Sequence, residues 1–151
     1  MRSLLFALLG LSVIFSAGCG STDTMPARMR DRFNPPEPKK QVFDAEQRAV
    51  FEAAQVALKR MDFQISRARA AQGIINSHSR IQPGDSFGKA RQYVLEVRLQ
   101  SFDPGKTEVA AVLREQEEST SFAGATDLPI REHGLYSSFF EGLAQALREA
   151  K

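Results

Sequence analysis

Two runs of strict alternation joined by a tight turn constrain this chain more than any other feature. Between Gln92 and Phe102, residues Tyr93, Leu95, Val97 and Leu99 point to one side of an extended backbone, and Glu96, Arg98 and Gln100 to the other. Asp103-Pro104-Gly105 turns the chain back. Thr107 to Glu117 then repeats the pattern, with Val109, Ala111 and Leu113 on the matching parity. Pairing the two apolar sets makes an antiparallel hairpin with one buried face, and it sets Glu96 diagonally near Arg114 on the solvent face. A one-sided sheet of this kind needs an apolar cover.

Two helices supply that cover. Phe43 to Met61 carries Phe43, Val50, Ala54, Ala57, Leu58 and Met61 near helical spacing, with Phe51 widening the stripe. Asp44 as N-cap, with Gln47 three residues on, resembles a capping box. The second helix runs from about Leu135 to Glu149, its stripe made of Tyr136, Phe139, Phe140, Leu143, Ala146 and Leu147. Between the first helix and the hairpin, Phe63 to Ser66 alternates as a strand and Ala70 to Gly73 reads as a turn. Ile74 to Ile81 is a second strand whose inner face is left open by adjacent Ile74 and Ile75. Pro83 to Gly88 is a loop, and Glu117 to His133 reads as irregular. The expected fold is α+β in two layers, a four-stranded antiparallel sheet packed by an N-terminal and a C-terminal helix.

The chain ahead of this domain reads differently. Met1 and Arg2 precede an apolar stretch from Leu4 to Phe15, too short to span a bilayer, which needs about 20 residues. Charge, apolar core and small residues in that order describe a secretory signal peptide over residues 1–18. Ser16-Ala17-Gly18-Cys19 resembles the lipobox of bacterial lipoproteins, with Ala17 and Gly18 at the small positions and Ser16 in place of the favoured leucine. The resemblance implies cleavage before Cys19 and acylation of its thiol. Gly20, where aspartate commonly signals inner-membrane retention, implies an outer-membrane lipoprotein facing the periplasm in a two-membrane host. Ser16 and Gly18 also fit ordinary cleavage of a soluble exported chain. That alternative leaves Cys19, the single cysteine, as a free thiol in an oxidising compartment.

Residues 19–41 read as the lipidated cysteine and a proline-rich tether, because Pro26, Pro35, Pro36 and Pro38 forbid a continuous helix or central strand. Its basic residues either meet an anionic surface or keep the tether soluble. Residues 42–151 form the single domain. With one cysteine already assigned, no disulfide can staple it. The chain has 20 basic and 18 acidic residues, and loss of Arg2 with the signal leaves it near neutral, which argues against a nucleic-acid partner.

Chemistry-bearing constellations are sparse. His78 and His133 have no metal-ligand companion at useful spacing. Ser77 or Ser79 with His78 and Asp85 contains commonplace ingredients without a nucleophile elbow. Glu115, Glu117 and Glu118 read as a solvated strand end, Gly84, Gly88 and Lys89 lack phosphate-loop spacing, and Tyr136, Phe139 and Phe140 read as core. The sequence leads to no catalytic residue, no cofactor and no metal site; lipidation of Cys19 is the one assigned modification.

Ala54-x-x-Ala57-Leu58, Phe63-x-Ile65 and Gly73-x-Ile75 are similar to the opening of the helix-grip domains of BamC-type lipoproteins of the β-barrel assembly machinery. Leu135-Tyr136-x-x-Phe139-Phe140-x-x-Leu143 resembles their closing helix. Such proteins carry two domains and this chain has room for one, so no functional residue is transferred. The resemblance implies a non-enzymatic, membrane-anchored module that engages an envelope protein partner in assembly or maintenance. A periplasmic binder of lipid or another apolar ligand, held between helix and curved sheet, is the alternative.

Overall fold

The computed structural model describes residues 36–83, 89–119 and 126–150. The signal segment, Cys19, the tether up to residue 35, and the interiors of the two loops after Pro83 and Ser119 lie outside the described residues. The elements in order are β1 (Lys39–Phe43), α1 (Gln47–Arg60), β2 (Gln64–Arg69), a 3-10 turn (Ala70–Gln72) and β3 (Ile74–His78). They continue with β4 (Gln82–Pro83), β5 (Lys89–Asp103), β6 (Lys106–Ser119), β7 (Thr126–Ile130) and α2 (Gly134–Glu149). The α+β class and the two-helix cover are as expected. The sheet, however, has seven strands rather than four, ordered β1-β6-β5-β3-β2, with β4 on β5 and β7 on β6, all antiparallel.

The length of the central hairpin explains the added strands. β5 has 15 residues and β6 has 14, so each runs for roughly 50 Å and outreaches any one short neighbour. β3 and β4 therefore share one edge of β5, and β1 and β7 share the outer edge of β6. The apolar register is the expected one, with Leu95 opposite Leu113, Val97 opposite Ala111 and Leu99 opposite Val109. Val94 faces Arg114 and Glu96 faces Val112, which sets Glu96 diagonal to Arg114.

The start of α1 corrects the sequence reading. Lys39 to Gln41 belong to β1 and not to a tether, and Phe43 pairs with Thr107 in the ladder and does not open a helix. Thr107 Oγ1 donates to Ala45 O at 2.8 Å, so this segment's backbone is committed to the sheet. The N-cap is Glu46, without a side-chain cap bond; Asp44 pairs instead with Lys106 at 3.3 Å, and Gln47 Nε2 donates to Leu99 O. At the other end, Asp62 adopts φ 61°, its N–H donates to Lys59 O and that of Phe63 to Leu58 O. This is a Schellman motif with Asp62 at the left-handed position.

The core lies between the helices and one face of the sheet. Val50, Ala54, Ala57 and Leu58 of α1 and Phe139 and Leu143 of α2 meet Ile75, Leu95, Val97, Val109, Ala111 and Leu113, all with no exposed surface. Ile75 settles the inner face of β3; Ile74 lies on the other side. No helix among the described residues is long and apolar enough to cross a membrane.

Candidate functional site: an open sheet face and a free edge

The face of the sheet turned away from the helices is packed by neither helix, and its register puts specific side chains in rows. One row runs Arg69, Ile74, Arg98, Ala110 and Lys40 across β2, β3, β5, β6 and β1. The next runs Arg67, Asn76, Glu96 and Val112. A bulge between Ile65 and Arg67 creates this arrangement, since uninterrupted alternation from Ile65 would turn Arg67 and Arg69 toward the helices. That is why parity alone could not have found these two residues.

A shallow cavity of about 400 Å3 opens on the same face, floored by Ala110 and Val112 and bordered by Pro36, Pro38, Glu96, Arg98 and Arg114. Two of the charged groups on this face have partners: Arg114 Nε donates to Asp127 Oδ1 at 2.8 Å, and Lys40 Nζ lies 3.0 Å from Glu108 Oε1. Arg67, Arg69 and Arg98 pair with no carboxylate among the described residues; Arg69 donates to Gln72 Oε1 at 3.2 Å.

The second feature is the outer edge of β2. Gln64–Arg69 is the last strand in the sheet order, and five of its six residues are exposed. A bulge and two arginines are devices that discourage pairing between identical edges, because like charges would meet. They leave the edge usable by a strand of opposite charge.

The histidines are separated from any reactive partner. Strand alternation turns Ser77 and Ser79 into the buried layer and His78 onto the open face, so the serines and His78 do not converge. Ser77 Oγ donates to Leu95 O, and Ser79 Oγ accepts from the Tyr93 N–H. Asp85 lies outside the described residues. His133 is the N-cap of α2, its Nδ1 accepting from the Leu135 N–H at 3.1 Å, with its ring 5.3 Å from that of Tyr93. Glu115 sits 3.8 Å from Arg91. Among the described residues no three His, Cys, Asp or Glu side chains gather in a form that could hold a metal ion. Tyr136 and Phe139 are buried and Phe140 packs on Phe43, as the core reading expects.

No family model matches the chain, and no curated protein does. Among solved structures it is similar to the adenylate sensor from AMP-activated protein kinase, crystallised in complex with 5-aminoimidazole-4-carboxamide 1-β-D-ribofuranotide. The match has 17% identity and a TM-score of 0.44 over 72% of this chain and 94% of that one. A likeness of that degree assigns neither a site nor a ligand here.

Proposed function

We propose that this chain is a non-enzymatic lipoprotein, acylated at Cys19 and held at the periplasmic side of the outer membrane, whose domain engages a protein partner in envelope assembly or maintenance. The lipobox resemblance supports the anchor, and the BamC-like helix-grip resemblance supports the accessory role. The observation that carries the interaction reading is the outer edge of β2, which pairs with no further strand among the described residues and where a partner strand can add to the sheet through main-chain hydrogen bonds. The reading invokes no cofactor and no nucleic acid.

The apolar-ligand alternative draws no support from the described residues. Phe139, Leu58, Ile75, Leu95 and Leu143 fill the space between helices and sheet, and the open-face cavity is bordered by Glu96, Arg98 and Arg114.

The test is site-specific photocrosslinking in intact cells, with the probe at Gln64 or Ala68 on β2 and, as control, at exposed Glu52 on α1. An adduct of one defined mass from the β2 positions alone is the expected result. Equal labelling from Glu52, or no adduct from β2, would sink the reading. The intact mass of the native protein beside Cys19→Ser tests the anchor separately.

A further inference from the structure

The open face has an unbalanced charge that the helical layer lacks. Among the described side chains its carboxylates Glu108 and Asp127 are engaged by Lys40 and Arg114, which leaves Arg67, Arg69 and Arg98 with Glu96. On the helical layer Arg48, Lys59, Arg60 and Arg148 are matched in number by Glu46, Glu52, Glu141 and Glu149, with Arg48 paired to Glu52 and Arg60 to Glu149. The three arginines are also dispersed: Arg69 and Arg98 stand two strands apart, about 10 Å, and of the three Arg98 borders the open-face recess while Arg67 and Arg69 do not. A spread array of this kind matches a surface carrying many phosphates better than one compact anion or one peptide carboxylate.

The path of the chain points the same way. Pro36 and Pro38 border the open-face cavity, so the described chain enters the domain on the face that carries the arginines. Seventeen residue steps separate Cys19 from Pro36, with a contour of at most about 56 Å.

We infer that the open sheet face docks on an anionic phospholipid bilayer, Arg67, Arg69 and Arg98 meeting headgroup phosphates while the helices face away from the bilayer. The inference rests on the anchored-lipoprotein reading for how the domain reaches a membrane. Each basic side chain at an anionic surface raises partitioning by about fivefold, so three give weak binding to a free chain. Anchoring turns that weak contact into a local event at high effective concentration, where it suffices to orient the domain.

The experiment uses an unacylated chain beginning at Gly20, which keeps every core residue from Phe43 to Leu143. It is co-sedimented with vesicles of phosphatidylcholine containing about a quarter phosphatidylglycerol, and with pure phosphatidylcholine, at about 0.1 M salt. Binding should favour the anionic vesicles and fall about tenfold or more in the double variant Arg69→Glu with Arg98→Glu. The double variant Arg48→Glu with Lys59→Glu on α1 makes the same change in net charge and should stay within about threefold of the parent. Circular dichroism checks that both variants are folded. Equal losses in the two variants, or no preference for anionic vesicles, would overturn the inference. So would a result in which Arg98 is needed only for capture of an acidic protein segment. Because Cys19 acylation is read from the mass of the native protein, failure here with an acylated Cys19 removes the docking face and leaves the anchor standing.

Discussion

Tyr136 and Leu113 are joined by a hydrogen bond that does the work of a missing ladder bond: the Leu113 N–H donates to the Tyr136 hydroxyl at 2.8 Å, and that hydroxyl donates to Ile130 O at 2.8 Å. Leu113 and Ile130 are register partners between β6 and β7, so a helix side chain reaches through the core to close the pair. Tyr136 is 7% exposed, and water has little access to the groups it satisfies. Tyr136→Phe leaves a buried donor unpaired and should cost about 1–3 kcal/mol. Urea denaturation of the two proteins checks this, together with faster amide exchange in β7.

Gly73 is the second point of close approach. It has φ +62°, and a Cβ there would stand 2.2 Å from Leu99 O, a backbone atom that cannot step aside. Its own carbonyl accepts from the Leu99 N–H at 2.7 Å, which fixes the β3 start against β5. Gly73→Ala therefore combines a left-handed backbone with a backbone clash, and a loss of at least about 2 kcal/mol is expected. A melting temperature unchanged by the substitution would contradict the geometry.

The Schellman turn predicts the opposite sign at Asp62. A non-glycine residue is held at φ 61° there, with only an exposed 3.6 Å contact to Arg80 in return. Asp62→Gly should raise stability by about 0.5–1 kcal/mol, measured by the same denaturation series.

Glu149 gives a pH signature. The hydrogen bond from Arg60 at 2.5 Å, seconded by Gln145, holds its carboxyl below the ordinary value of 4.5. A lowered folded value means the contribution is complete above the ordinary carboxylate range and is lost as pH falls through the folded value. Glu149→Gln should therefore lower the melting temperature slightly at about pH 7, and the gap between the two proteins should shrink as pH falls below the ordinary carboxylate range. A gap that widens with acid would reverse the assignment. The pair is solvent-exposed, so the effect is small.

The parts of the fold that could be read from residues alone are those in which one face is buried. β5 and β6 alternate because Leu95, Val97, Leu99, Val109, Ala111 and Leu113 all face the helices, and α2 shows its stripe for the same reason. β1 is hidden because Lys39, Lys40 and Gln41 sit at an edge and only Phe43 is buried. β7 contains Pro129, which an edge strand tolerates and a sequence pattern reads as a break. β4 is two residues long and carries no period at all. The arginine rows were beyond reach for a different reason: they depend on the β2 bulge and on which strands become neighbours, neither of which a single chain's alternation encodes.

β1 also has a mechanical meaning. Any tension arriving from the N-terminal side meets this strand first, at Lys39, where a salt bridge to Glu132 ties it to the approach of α2. The strand lies antiparallel along β6 through five register pairs, from Lys39 opposite Ala111 to Phe43 opposite Thr107. A pull along its axis loads those pairs together in shear, not one after another as in a zipper. The strand that looked like the end of a leash is thus the clamp that lets the domain be tugged without unravelling.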